Sequence, residues 1–168
     1  PASIGEALSP VLANLSTKSK GGNEFIDVDQ ALGYELPELE TSYTERDVVL
    51  YALGVGAGRS PANGTELQLV YERNGEGFFP LPTFGVIPAL NAIVQLAAEG
   101  RTAPGLNYGL DRILHGEQYL ELTRPLPPAA RVKNKARIAQ ILDKGKPALV
   151  VTHIATYAAG TGELRAQN

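Results

Sequence analysis

Val86-Ile87-Pro88-Ala89-Leu90-Asn91-Ala92-Ile93-Val94-Gln95-Leu96-Ala97-Ala98-Glu99 is the longest helix candidate in the chain, and Gly100 closes it. It is almost wholly apolar, and a helix that is apolar all round is a buried one. Pro88 fits its first turn, where a missing N–H costs little; a start near Thr83 would instead place a kink at Pro88. After Pro104-Gly105 the period changes. Residues 118–123 alternate, and Pro125-Leu126-Pro127-Pro128 breaks the run. Residues 131–142 set Val132, Asn134, Ala136, Ile138, Gln140 and Leu142 against Lys133, Lys135, Arg137, Ala139 and Ile141. Asp143-Lys144-Gly145-Lys146 reads as a hairpin turn, and residues 148–157 as a further strand rich in β-branched side chains. A long buried helix followed by an antiparallel meander defines an α+β domain in which a sheet wraps a helix.

Upstream, residues 1–23 form a polar, Gly-rich, aperiodic stretch, expected to be a mobile lead-in. Pro1 to Gly5 has neither a basic nor an apolar segment and is not read as a signal peptide. Residues 38–43 are a short strand candidate. Thr44 with Asp47 three residues on makes a capping box before Val48-Val49-Leu50-Tyr51-Ala52-Leu53, a helix with no polar face that is expected to be buried. Gly54, Gly56 and Gly58 end it. Residues 66–72 alternate and are expected to form a strand, with Glu66, Gln68 and Val70 on one face.

The chain has 168 residues, with 15 Lys+Arg against 18 Asp+Glu, and contains no Cys, Met or Trp. That length is one domain, long enough to bury roughly 68–70% of its unfolded surface. Without cysteine there is no disulfide scaffold, thiolate zinc site or cysteine nucleophile. The net charge of −3 argues against nucleic acid or an anionic membrane as the main partner. No apolar run approaches the ~18 residues of a spanning helix.

Few residues could carry chemistry. His153 lies in an alternating run and reads as structural. His115, in Leu114-His115-Gly116-Glu117-Gln118-Tyr119, sits among polar side chains at the expected mouth of a strand. Gly116 there admits close backbone approach, and an imidazole moves protons near neutral pH. The same residues also fit a turn in which His115 and Glu117 merely bond each other or the backbone. Glu72, at the end of the expected strand beside Tyr71, is either a general base or a solvated carboxylate. Asp111 precedes His115 by four residues in a stretch that does not look helical, and the pair does not make a metal site. The glycines at 54, 56 and 58 follow a helix instead of preceding one, which removes a dinucleotide loop.

The blocks Tyr51-Ala52-Leu53-Gly54-Val55-Gly56-Ala57, Val70-Tyr71-Glu72, Leu81-Pro82-Thr83-Phe84-Gly85-Val86-Ile87, Leu114 to Leu122 and Leu142-Asp143-Lys144-Gly145 occur in that order. Together they closely resemble the N-terminal half of the 2-enoyl-CoA hydratase 2 family of MaoC-like dehydratases, over about residues 24–165. The resemblance implies one half of a double hot-dog, spanning 24–168. It implies reversible hydration of trans-2-enoyl-CoA to (3R)-hydroxyacyl-CoA, with no metal or organic cofactor. The helix from Phe84 to Leu96 would line the acyl tunnel, with a proline-affected entry making room, and Pro82, Thr83, Phe84 and Gly85 would bind substrate. Tyr51, Glu72, His115, Glu117 and Tyr119 match polar positions of the family, with Gly116 beside them. Glu72 would contribute to the active-site network, and the others would position substrate or structure.

The resemblance also implies an Asp and a His five residues apart with Asn-Pro between them. No such pair occurs in this sequence, and the family continues into a further strand and a second half. The expectation is therefore the acyl-binding half of a hydratase, with the second hot-dog half as partner, a homodimeric assembly, and acyl-CoA as substrate. A eukaryotic member would be peroxisomal and a bacterial one cytoplasmic. Two other readings stand beside it. One is a non-catalytic acyl-binding or partner subunit. The other is a hot-dog thioesterase with Glu72 or His115 as its base.

Overall fold

A computed structural model describes residues 23–60, 62–74, 77–143 and 147–168. Residues 1–22 of the expected lead-in and 144–146 of the expected turn lie outside the described residues. In chain order the elements are α1 (Val28–Ala31), β1 (Leu39–Tyr43), α2 (Glu45–Gly54), α3 (Gly64–Val70), a 3-10 turn (Pro82–Gly85), α4 (Val86–Ala98), β2 (Glu121–Leu122), β3 (Ala130–Asp143), β4 (Ala148–Ala158) and β5 (Leu164–Gln167). The strands form one antiparallel sheet in the order β1-β3-β4-β5-β2. The meander is thus β3-β4-β5, with β1 and β2 added at its two edges.

The register decides which side chains face the helix. Val132 stands opposite Thr41 and Ala158, and Asn134 opposite Leu39 and Thr156. Val132, Asn134, Ala136 and Ile138 are all buried, whereas Arg131, Lys135 and Arg137 between them are exposed. The strict alternation read to Leu142 does not persist. The register shifts between Ile138 and Gln140, so that Gln140 opposes Val151, in the row of His153. A bulge adds one residue to β3 and moves Gln140 and Leu142 to the outer face.

Helix α4 lies across the inner face. Ala89 packs with Ala136 and Ile154, and Ile93 and Leu36 close around them. Its small residues, Ala89 and Ala92, face the sheet, which lets the helix approach closely. A second cluster gathers Tyr43, Val48, Phe78, Phe84, Leu126 and Val132. Pro88 sits in the first turn of α4, which starts at Val86 directly after the 3-10 turn. The result is the hot-dog arrangement, a helix held in the curve of an antiparallel sheet. Glu38 bonds Lys135, with Lys133 beside it, on the outer face. That bond holds the Glu38 carboxyl below the usual carboxylate range. Exposed pairs of this kind contribute little to stability.

Three further sequence expectations about elements are corrected. Residues 66–72 are not a strand: Gly64–Val70 is helix α3. Its start is set by Asn63, whose Oδ1 accepts from Thr65 N at 3.0 Å, while Glu66 reaches back to accept from Ser60 N at 2.9 Å. Those local bonds outweigh the alternation. Helix α2 is not buried all round: Val48 and Ala52 are in the core, but Leu50 and Leu53 are 54% and 48% exposed. The strand expected at 118–123 contracts to Glu121–Leu122, and Asp111 lies in a short 3-10 turn, Leu110–Arg112.

Candidate functional site

Strand β1, helix α2 and the start of α4 enclose a groove of about 380 Å³. Thr41, Ser42 and Tyr43 come from β1. Asp47, Leu50 and Tyr51 come from α2, and Phe84, Ile87, Pro88 and Asn91 from the 3-10 turn and α4. The capping box places α2 here. Asp47 accepts from Thr44 N at 2.8 Å and from Thr44 Oγ1 at 2.9 Å, which fixes the angle at which the helix leaves β1.

Three rings form the wall. Phe84 is fully buried, with Tyr43 edge-on at 5.0 Å and Tyr51 edge-on at 5.6 Å between centroids. Such pairs add about 0.5–1.5 kcal/mol each beyond burial. The Tyr43 hydroxyl donates to Pro127 O at 3.1 Å. Burial pushes that hydroxyl up to about 12. The groove is therefore aromatic and aliphatic on one side and carries hydroxyl and amide groups on the other. It suits an elongated, mainly apolar ligand.

Of the residues singled out in the sequence, Tyr51 and Phe84 meet in this groove. Pro82 and Thr83 are exposed on the turn before it. Gly85 is buried where a Cβ would stand 2.9 Å from a Leu122 methyl and 3.1 Å from a Leu120 methyl, so only glycine fits without displacing them. Glu72 is exposed in the turn after α3, not at the end of a strand. His115, Gly116 and Glu117 are exposed in the irregular segment before β2, and space around Gly116 is open. Tyr119 donates to Glu121 at 3.3 Å. None of Glu72, His115, Gly116, Glu117 and Tyr119 lines the groove. His153 bonds Gln167 at 3.1 Å on the outer face.

The sequence reading missed Thr41, Ser42 and Asn91, and missed two buried polar side chains behind them, Asn134 and Thr156. One signal was present: Asn134 sits in the apolar row Val132, Ala136, Ile138, where a polar residue needs a partner.

A helix cradled by an antiparallel sheet, with an apolar groove at the helix start, places the chain in the hot-dog fold class. A sequence family described as the MFE-2 hydratase 2 N-terminal domain matches residues 41–168, and the chain belongs to that family. It is 42% identical over 142 residues to "Enoyl-CoA hydratase 2, peroxisomal" of Arabidopsis thaliana, across 83% of this chain and 45% of that protein. It resembles the structure of full-length peroxisomal multifunctional enzyme type 2 from Drosophila melanogaster, with a TM-score of 0.61 and 30% identity over 100% of this chain and 26% of that one. A MaoC-like dehydratase from Phytophthora capsici matches with a TM-score of 0.62 and 27% identity, over 84% of this chain and 46% of that one. The chain thus spans about half or less of the length of these relatives.

Proposed function

We propose that this chain is the acyl-binding half of an (R)-specific 2-enoyl-CoA hydratase, working in peroxisomal fatty-acid oxidation. The observation that carries the reading is the groove walled by Phe84, Tyr51 and Ile87 at the start of α4, in a chain of the hydratase 2 family. In the proposed reaction the hydroxyl of water bonds to C3 of a trans-2-enoyl thioester and its proton reaches C2. An acid–base pair and an oxyanion donor suffice for that step. The Asp/His pair belongs to the second hot-dog half, which closes against this one in the complete protein. The side chains of this half hold the acyl tail, and Glu72 joins the active-site network when the halves meet.

The test is hydration of enoyl-CoAs of increasing length by the complete protein. Ser42→Phe narrows the groove from an exposed strand position. The efficiency ratio for long over short chains should fall about tenfold, the scale of a few lost methylene contacts. An unchanged ratio rejects the groove as the tail site. In the same assay Glu72→Ala should lower turnover more than His153→Ala, and equal effects remove Glu72 from the network.

A further inference from the structure

Behind the groove runs a one-way chain of hydrogen bonds. Thr156 Oγ1 donates to Asn134 Oδ1 at 2.8 Å, and Asn134 Nδ2 donates to Thr41 Oγ1 at 3.0 Å. Asn134 and Thr156 are 2% and 1% exposed. The direction follows from burial. With the amide reversed, the Thr156 proton would sit in the dry end of the chain without an acceptor, at a cost of about 1–3 kcal/mol. In the observed order the Thr156 hydroxyl and one N–H of the Asn134 amide each meet an acceptor, and the Thr41 hydroxyl, which accepts, keeps its own proton. Thr41 is the member that reaches the groove.

Thr41 also borders an open trench of about 640 Å³ that continues from the groove past Glu40, Ser42, Asn91, Gln95 and Arg131. Asn91 and Gln95 are the only polar residues of Val86–Ala98. They lie one turn apart on the helix, and both border this trench. Gln95 already donates to Glu99 at 2.9 Å, but a plain alkyl tail laid here would leave the Thr41 hydroxyl and the Asn91 amide against hydrocarbon, whereas an oxygen on the tail would accept the Thr41 proton.

We propose that Thr41 is a specificity-determining donor, held by Asn134 and Thr156, that selects acyl groups bearing a hydroxyl, ether or carbonyl oxygen along the tail. This rests on the hydratase reading and names the tail chemistry within it. The experiment uses the complete protein and trans-2-decenoyl-CoA, beside analogues carrying a hydroxyl near, midway along or at the end of the tail. The wild type should favour one hydroxylated analogue by about fivefold in kcat/KM, the worth of one hydrogen bond. Thr41→Val should bring that ratio to about one, and Thr41→Ser should restore it. Thermal unfolding shows whether Thr41→Val is folded. If it is not, the wild-type series decides alone. Equal efficiency for all analogues overturns the proposal while leaving the hydratase reading intact. A preference that survives in folded Thr41→Val also overturns it. No hydration of any of these thioesters by the wild type rejects the hydratase reading itself.

Discussion

At Tyr43 a phenol is packed against Phe84 with its hydroxyl bonded to the Pro127 carbonyl. Burial raises its titration from near 10 to about 12. Between those values the unfolded chain has released a proton that the folded chain retains. The stabilising contribution is therefore complete below about pH 10 and is lost as pH rises towards 12. Denaturant titrations over the alkaline range should show a steep loss of stability in the wild type and a shallower one in Tyr43→Phe. Tyr108, also raised by burial, remains in both proteins and cancels in the comparison. At neutral pH the variant should be about 0.5–1.5 kcal/mol less stable, because the Pro127 carbonyl loses its donor. Parallel alkaline curves would contradict the assignment of this titration to Tyr43. The position of Tyr43 on a strand next to a capping box was legible in the sequence. Its pairing with Pro127, 84 residues away, was not, because no local pattern encodes a contact between a strand and a distant loop.

Between elements, what could be read depended on how many signals agreed. Strands β3 and β4 were plain because alternation, β-branched content and a turn signal coincided, and the long helix because its apolar run ends at Gly100. Helix α3 was misread because alternation of Leu67 and Leu69 competed with a weaker cue, Asn63 followed three residues later by Glu66. Seven residues satisfy either period, and the cap decides. Tertiary packing then helps: Val70 and Leu53 close around Gly58, where φ is +76° and a Cβ would stand a tight 3.1–3.3 Å from their methyls. Asn63→Ala should cost about 0.5–2 kcal/mol, the usual loss for a removed cap. Hydrogen exchange should show the loss concentrated in Gly64–Val70, with β3 and β4 protected as before. Uniform loss across the sheet would mean that the cap does not govern this helix alone.

For the whole molecule the exposed apolar side chains matter most. Helix α2 was expected to be buried because it has no polar face, yet Leu50 and Leu53 stand open, as do Val55 just past its end and Leu90 and Val94 along α4. The two observations agree if the cover is another polypeptide surface, and a second hot-dog half is the proposed one. The apolar pattern marks these positions as needing burial, but no local period in a sequence says against what. Apolar surface on this scale, on two helices flanking one groove, drives association. The 168-residue chain by itself should therefore self-associate, and light scattering over a concentration series should give a mass that rises with concentration. Leu50→Glu and Leu53→Glu introduce charge at exposed helix positions, where they cost the fold little, and together should return the chain towards a monomer. A monomeric wild type at high concentration would show that these side chains are tolerated in water. A double variant that associates as before would place the contact elsewhere on the surface.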